Sequence, residues 1–367
     1  MKILFITPTA EHTGSEMLLL YLLQQIKGKI NTVLYARKAG SLLKSGFPVD
    51  ETFYNNPKND FLSRLYEASY FKIKKEVPEI QKVSQIQAKV KADYWYLNTL
   101  LHPDLAKLAI KLNIPYILHL HELEGMYEVV KEEDFKEMLA NAHAIVCCGS
   151  KVEQRVKQMG YKNTFLLHSF IDTSKIIINE SPEKIRAKHN IPSDAFVWLM
   201  SGTMSFGKGY DMLPDVLINL PKNHYFVWLG SKKDSGTLHY IKQRAKNEKL
   251  NFIDFGSKTS DYYDYLNICD GFAFLSRQDS FPLVMIEAAF LGKPIASFNS
   301  GGIKEFVLDG MGSIIDSFNP AELAKEMVKI ADGSIKTDAN ISKARALEFD
   351  VNQKAPLWLE LIKTLKN

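Results

Sequence analysis

Three cysteines in 367 residues leave little scope for cysteine chemistry. Cys147 and Cys148 are adjacent in an apolar run and Cys269 stands alone, which gives neither a disulfide framework nor metal-ligand spacing. Core packing in a reducing cytoplasm is the expectation. Long apolar runs are missing too. Ile3-Leu4-Phe5-Ile6 breaks at Thr7-Pro8, too short for a signal peptide, and no stretch reaches the roughly 20 residues of a spanning helix. Charge of one sign is not in excess. Lys and Arg total 46 against 42 Asp and Glu, a formal +4 that is too weak to argue for nucleic acid. Solenoid repeats and low-complexity tracts are also absent.

What is present describes an ordinary globular protein, 46% hydrophobic and 24% charged. Its length predicts two domains. Both halves alternate short apolar strands with helices, the pattern of parallel α/β sheets. Strands are expected at 2–7, 32–36, 93–97, 115–120, 144–148 and 164–170, then at 196–200, 226–229, 252–255, 272–275, 294–298 and 312–316. Residues 171–193 read as a linker, with Ser181-Pro182-Glu183 starting a short helix. The segment 37–91 is the hardest to read. It mixes Phe61, Leu62, Leu65, Tyr66, Tyr70, Phe71 and Ile73 with Arg64, Lys72, Lys74, Lys75, Lys82, Lys89 and Lys91. Such a segment suits either a half-buried helix with solvated lysines or peripheral contact with an anionic membrane surface.

The most informative stretch is 272–302: strand, polar loop, helix, strand. Leu283 to Leu291 has no helix breaker and Gly292 stops it. The first amides of such a helix lack internal partners and sit at the positive end of its dipole, so Leu283 and Val284 are candidate phosphate donors. Glu287 lies one turn further in, and Asp279 eight residues before it in the loop, which closes on Phe281-Pro282. Two carboxylates bracketing an anion site need a reason. Sugar hydroxyls supply one, since a carboxylate accepts two from a ribose.

This string resembles the donor-site signature of retaining glycosyltransferases of the family-4 type. That signature is an acid, seven residues and Glu, then Gly-Lys-Pro, a strand, and Gly-Gly with Glu three residues on. Here it reads Asp279, Glu287, Gly292-Lys293-Pro294, Gly301-Gly302 and Glu305, with Asp where Glu is commoner. The resemblance implies α/β architecture with two Rossmann-like doubly wound parallel-sheet domains facing a cleft (GT-B). Those domains are expected at 1–170 on the acceptor side and 171–345 on the donor side, with 346–367 a helix returning to the first.

The other strand ends add candidates. Residues 202–209 form a glycine-rich loop that resembles the family's Gly-Arg…Lys-Gly motif, with Thr203 in place of Arg. Lys208 then carries most of the charge against the diphosphate, and Thr203 and Ser205 line the loop. In the first half, Thr13-Gly14-Ser15-Glu16 follows the first strand, and its glycine brings Gly14 and Ser15 backbone near a ligand. The family carries Gly-Gly-x-Glu here, so Thr13 replaces a glycine. Asn98 ends one strand and His121 another. In relatives a His at this point lies near the donor sugar, and His121 fits better than His119 because it stands at the strand's end.

The resemblance implies sugar transfer from a nucleotide-sugar donor to a glycan, glycolipid or lipid-linked acceptor of a bacterial surface pathway. Glu287 binds the ribose, Lys208 and the helix amides bind phosphate, and Asp279 and His121 orient the sugar. There is no Asp-x-Asp metal clamp, so no metal and no cofactor are expected. A nucleotide-sugar epimerase on the same fold and a non-catalytic nucleotide-sugar binder remain the alternatives.

Overall fold

The computed structural model describes residues 1–55, 69–70, 72, 77–231 and 235–365. The chain divides into two compact units, one of Met1–Ser169 joined by the chain from Val351, the other of Phe170–Asp350. The second boundary thus falls after 350 rather than 345. The reason is local: the helix Ala339–Leu347 packs on the helix Leu283–Phe290 and stays with the second unit.

The first unit is built on seven strands, β1 (Lys2–Thr7), β2 (Asn31–Ala36), β3 (Glu51–Tyr54), β4 (Tyr94–Leu97), β5 (Tyr116–Leu120), β6 (Ala144–Cys147) and β7 (Thr164–Leu166). Their order is β3-β2-β1-β4-β5-β6-β7, and every pairing is parallel. Ile3 to Ile6 and Ile117 to Leu118 are fully buried, which is why these strands read as continuous apolar runs. Strand β3 was not expected. It is a half-exposed edge without an apolar run, and two lysines hold it. Lys82 Nζ donates to the Tyr54 carbonyl at 2.7 Å, and Lys89 Nζ pairs with Glu51 at 2.8 Å. Much of the aromatic and basic segment singled out above lies outside the described residues, namely Phe61, Leu62, Arg64, Leu65, Tyr66, Phe71, Ile73, Lys74 and Lys75. Among the described residues no helix is long and apolar enough to cross a membrane.

The helix Val351–Thr364 completes this unit. Its Trp358 is wholly buried, with ring centroids 6.0 Å from Phe5 and 5.8 Å from Tyr96, so it is seated on the central strands β1 and β4.

The second unit carries six parallel strands, β8 (Phe196–Ser201), β9 (His224–Leu229), β10 (Phe252–Gly256), β11 (Gly271–Phe274), β12 (Ile295–Phe298) and β13 (Gly312–Ile315). Their order is β10-β9-β8-β11-β12-β13. In each sheet the order reverses once, between β1 and β4 and between β8 and β11. The loops on either side of a reversal leave in opposite directions and open a crevice at the C-terminal strand ends.

Trp358→Ala is expected to lower the stability of the first unit by about 3–5 kcal/mol, the usual loss for a buried tryptophan. Guanidinium unfolding measures it, and an unchanged midpoint would show that the last helix is not part of that core.

Candidate functional site

In the second unit, loop 202–209 follows β8 and loop 276–280 follows β11, so the two flank the reversal. They are fitted backbone to backbone. Gly209 sits at φ +70°, and a Cβ there would come within 2.1 Å of the Leu275 carbonyl oxygen. The fit brings the Lys208 ammonium onto the Asp279 carboxylate, an ion pair whose side chains are 27% and 14% exposed. Ser276 Oγ donates to the same carboxylate oxygen at 3.4 Å. Arg277 stands next to this pair and does not replace the arginine missing at 203. Its guanidinium is committed to Asp211, at 2.7 and 2.9 Å, and lies 4.0 Å over the Phe206 ring. Thr203 Oγ1 instead meets Ser231 Oγ at 2.9 Å, tying the loop to the end of β9. The Ser205 carbonyl accepts from the Lys208 amide at 2.9 Å, closing the turn that carries the lysine.

Gly301 and Gly302 seat loop 276–280 from the other side. Gly301 is left-handed at φ +52°, and a Cβ there would lie 1.4 Å from the Asp279 carbonyl oxygen. The Gly302 amide donates to Ser280 at 2.7 Å. The paired glycines therefore have a structural reason, since they let the Asp279 backbone lie against the turn after β12.

The start of the helix is placed differently from expectation. Phe281 is 2% exposed, with its ring 5.1 Å from Phe349 and 6.2 Å from Phe306. It is a core residue, not a ligand contact, because the chain turns inward before the helix. Pro282 is buried beside it as the N-cap. Leu283 and Val284 are half-buried in the first helical turn, where the amides have no intrahelical acceptor.

Glu287, expected to take the ribose hydroxyls, is buried and already engaged. It is 6% exposed, and each carboxylate oxygen already accepts a tyrosine hydroxyl: Tyr262 at 3.1 Å and Tyr263 at 3.0 Å. Burial raises its pKa to about 7, against the two tyrosine bonds, which lower it. Tyr262 Oη is also 2.9 Å from Ser201 Oγ, at the end of β8.

In the first unit, the loops after β1 and β4 flank the reversal and are joined by Asn98, whose Nδ2 donates to the Ser15 carbonyl at 3.2 Å. Asn98 Oδ1 lies 3.2 Å from His121 Nε2. His121 is half-buried, just past β5, and desolvation drops its pKa to about 3, so it offers a neutral imidazole. His119 points inward, 2% exposed, with Nδ1 2.7 Å from the Tyr96 hydroxyl. Gly14 opens the helix Gly14–Ile26. Its φ is not left-handed, and a Cβ there would meet nothing within 4 Å.

Sequence reasoning named Glu16 without giving it a role and missed Tyr262 and Tyr263. Glu16 is 2% exposed and gathers the hydroxyls of Thr7 at 3.2 Å, Ser15 at 2.8 Å and Thr13, which shapes the loop around Gly14. Thr-x-x-Glu before an apolar helix was its readable signal. The tyrosines belong to the helix Tyr262–Leu266 and carry no motif. Among the described residues no group of three or more His, Cys, Asp or Glu is placed to hold a metal ion.

Comparison with known proteins bears on both units. Residues 181–347 match the model of the family described as glycosyl transferases group 1. The lipopolysaccharide core biosynthesis glycosyltransferase LpsE of Rhizobium meliloti is 24% identical over 58% of this chain and 62% of its own length. The lipopolysaccharide 1,2-N-acetylglucosaminetransferase of Salmonella typhimurium is 30% identical over 41% of this chain and 45% of its own. The chain spans about three fifths or less of the length of these relatives. In fold, it resembles Anabaena HepE crystallised with UDP-glucose, at a TM-score of 0.83 and 21% identity, covering 99% of this chain and 100% of that one. Sucrose-phosphate synthase from Thermosynechococcus elongatus follows at 0.75 and 16%, covering 100% and 99%.

Gly301→Ala is expected to destabilise the second unit by more than about 1 kcal/mol, because it meets both a left-handed φ and the Asp279 carbonyl. Gly207→Ala, where a Cβ has nothing within 4 Å, is the control expected to melt like the native chain. Equal melting temperatures for both would remove the seating role given to Gly301.

Proposed function

We propose that the chain, whose residues 181–347 match the glycosyl transferases group 1 family, is a retaining glycosyltransferase. It moves a sugar from a nucleotide-diphosphate donor to a glycan, glycolipid or lipid-linked acceptor. The observation that carries this reading is the Lys208–Asp279 ion pair, held at the sheet reversal beside the N-terminus of the helix Leu283–Phe290. A cation, free helix amides and acids within one loop system suit a sugar diphosphate, which brings both anionic oxygens and hydroxyls.

The chemistry follows from the charges. The bond between the anomeric carbon and the donor phosphate breaks, and negative charge grows on the departing diphosphate. Lys208 exchanges the Asp279 carboxylate for a phosphate oxygen, and the amides of Leu283 and Val284 take further oxygens. Asp279, relieved of its partner, accepts hydroxyls of the sugar. The acceptor oxygen then bonds to the anomeric carbon on the face the phosphate leaves, and its proton passes to the departing diphosphate oxygen. Fixed charge from Lys208 and the helix end stabilises the leaving group without a metal. Glu287 takes the ribose hydroxyls, sharing its carboxylate with the two tyrosines.

Relatives named for lipopolysaccharide core, O-antigen and teichuronic acid biosynthesis favour a surface polysaccharide pathway. HepE, solved with UDP-glucose, makes that compound the first donor to try.

A melting screen of UDP-, GDP- and ADP-sugars should raise the melting temperature with at least one, as a ligand bound only to the folded state must. Removing one charge-assisted contact costs roughly 1.5–3 kcal/mol, or about ten- to a hundredfold in rate, so Lys208→Ala should lose that much transfer activity. Transfer at the native rate would overturn the assignment. Gly14→Ala separates fold from function in the first unit. Its melting temperature should hold, because the added methyl meets open space in a helix, while transfer falls where the loop approaches a ligand.

A further inference from the structure

We infer that Tyr262 and Tyr263 are positioning residues of the nucleotide site: their hydroxyls hold the Glu287 carboxylate and leave it two acceptor directions for a vicinal diol. The inference rests on the donor site proposed above. A carboxylate offers about four lone-pair directions. The tyrosines take one on each oxygen, at 3.1 and 3.0 Å, which fixes the plane of the group as two bonds to one oxygen would not. The tyrosines are themselves braced, since Tyr262 meets Ser201 Oγ at 2.9 Å and the two rings stand edge to face at 5.1 Å. The ribose 2′- and 3′-hydroxyls form a diol of the right spacing for the remaining directions.

The arrangement also decides when Glu287 is an acceptor. Burial raises its pKa to about 7, and the tyrosine hydroxyls oppose that rise. Below this value the carboxyl holds a proton, and above it both oxygens accept. Other charged groups on the neighbouring elements are engaged elsewhere. Asp264 accepts from the amides of Asn179 and Glu180 at 2.6 and 3.1 Å, and Lys293 donates to the Asn267 carbonyl at 2.9 Å. Lys343, on the helix Ala339–Leu347, lies over Phe290 at the far end of the Glu287 helix.

The test is calorimetric binding of UDP, GDP and ADP to the full chain from pH 6 to pH 9, repeated with the 2′-deoxy form of whichever binds tightest. Glu287→Gln supplies the slope due to the diphosphate's own titration. Relative to that variant, native affinity should rise through about pH 7, and the 2′-deoxy nucleotide should lose most of the rise. Tyr262→Phe and Tyr263→Phe each remove a donor to the anion, so the rise should move to higher pH. Affinity at pH 7 should then fall about five- to tenfold, with the gap narrowing at pH 9, because a carboxyl below its pKa loses ionised form about tenfold with each step down in pH. A native rise that both tyrosine variants reproduce, or a loss equal at every pH, overturns the tyrosine role and leaves Glu287 as the ribose ligand. A native profile matching that of Glu287→Gln, or no binding of any of the three nucleotides, overturns the donor-site reading and this inference with it.

Discussion

The carbonyl oxygen of Asp279 occupies the space where residue 301 would carry a side chain, and the seating of the second unit's strand-end loops depends on that contact. Two glycines let the loop after β11 lie flat on the turn after β12. A third, Gly209, lets the loop after β8 lie on the end of β11. Three strand-end loops are thereby locked into one surface at the reversal of the sheet. Side chains from separate loops then meet over a shared backbone surface. Lys208 reaches Asp279 for this reason, and not through any affinity of an exposed lysine for an exposed acid, which alone contributes little.

The charge pattern on that surface is sparse. Arg277 is stacked on Phe206 and paired with Asp211, and position 203 is a threonine bonded to Ser231. The positive charge left on that surface is Lys208, beside the N-terminal end of the short helix Leu283–Phe290. The loops at the β1/β4 reversal of the first unit are joined by hydrogen bonds. Asn98 joins two loops and contacts a neutral His121, and the buried Glu16 gathers three hydroxyls around the glycine loop.

Much of the architecture was legible because parallel strands buried on both faces are written as uninterrupted apolar runs. β1, β5, β8 and β11 were found that way. β3 was not, because its residues are half-exposed and it is held by lysines from a helix more than twenty-five residues away. In the site, the glycine and acid spacings were legible because local spacing on one loop and one helix survives folding. What a side chain faces was not. Phe281 reads as part of the motif and is core, while Glu287 reads as a ribose acceptor and is held by two tyrosines from a different helix. Such partners come from contacts between elements, and no spacing within one segment encodes them.

The path of the chain through the two units has a further consequence. The first unit is interrupted: its sheet is finished at β7, yet its core is closed by Trp358, which follows the whole of the second unit. Ile171 and Asp350 form a parallel bridge, so the chain enters and leaves the second unit at neighbouring points. During synthesis from the N-terminus, the second unit is a continuous stretch that emerges complete. The first lacks Trp358 against β1 and β4 until residues 351–364 have followed, so its core is assembled from segments made before and after its neighbour.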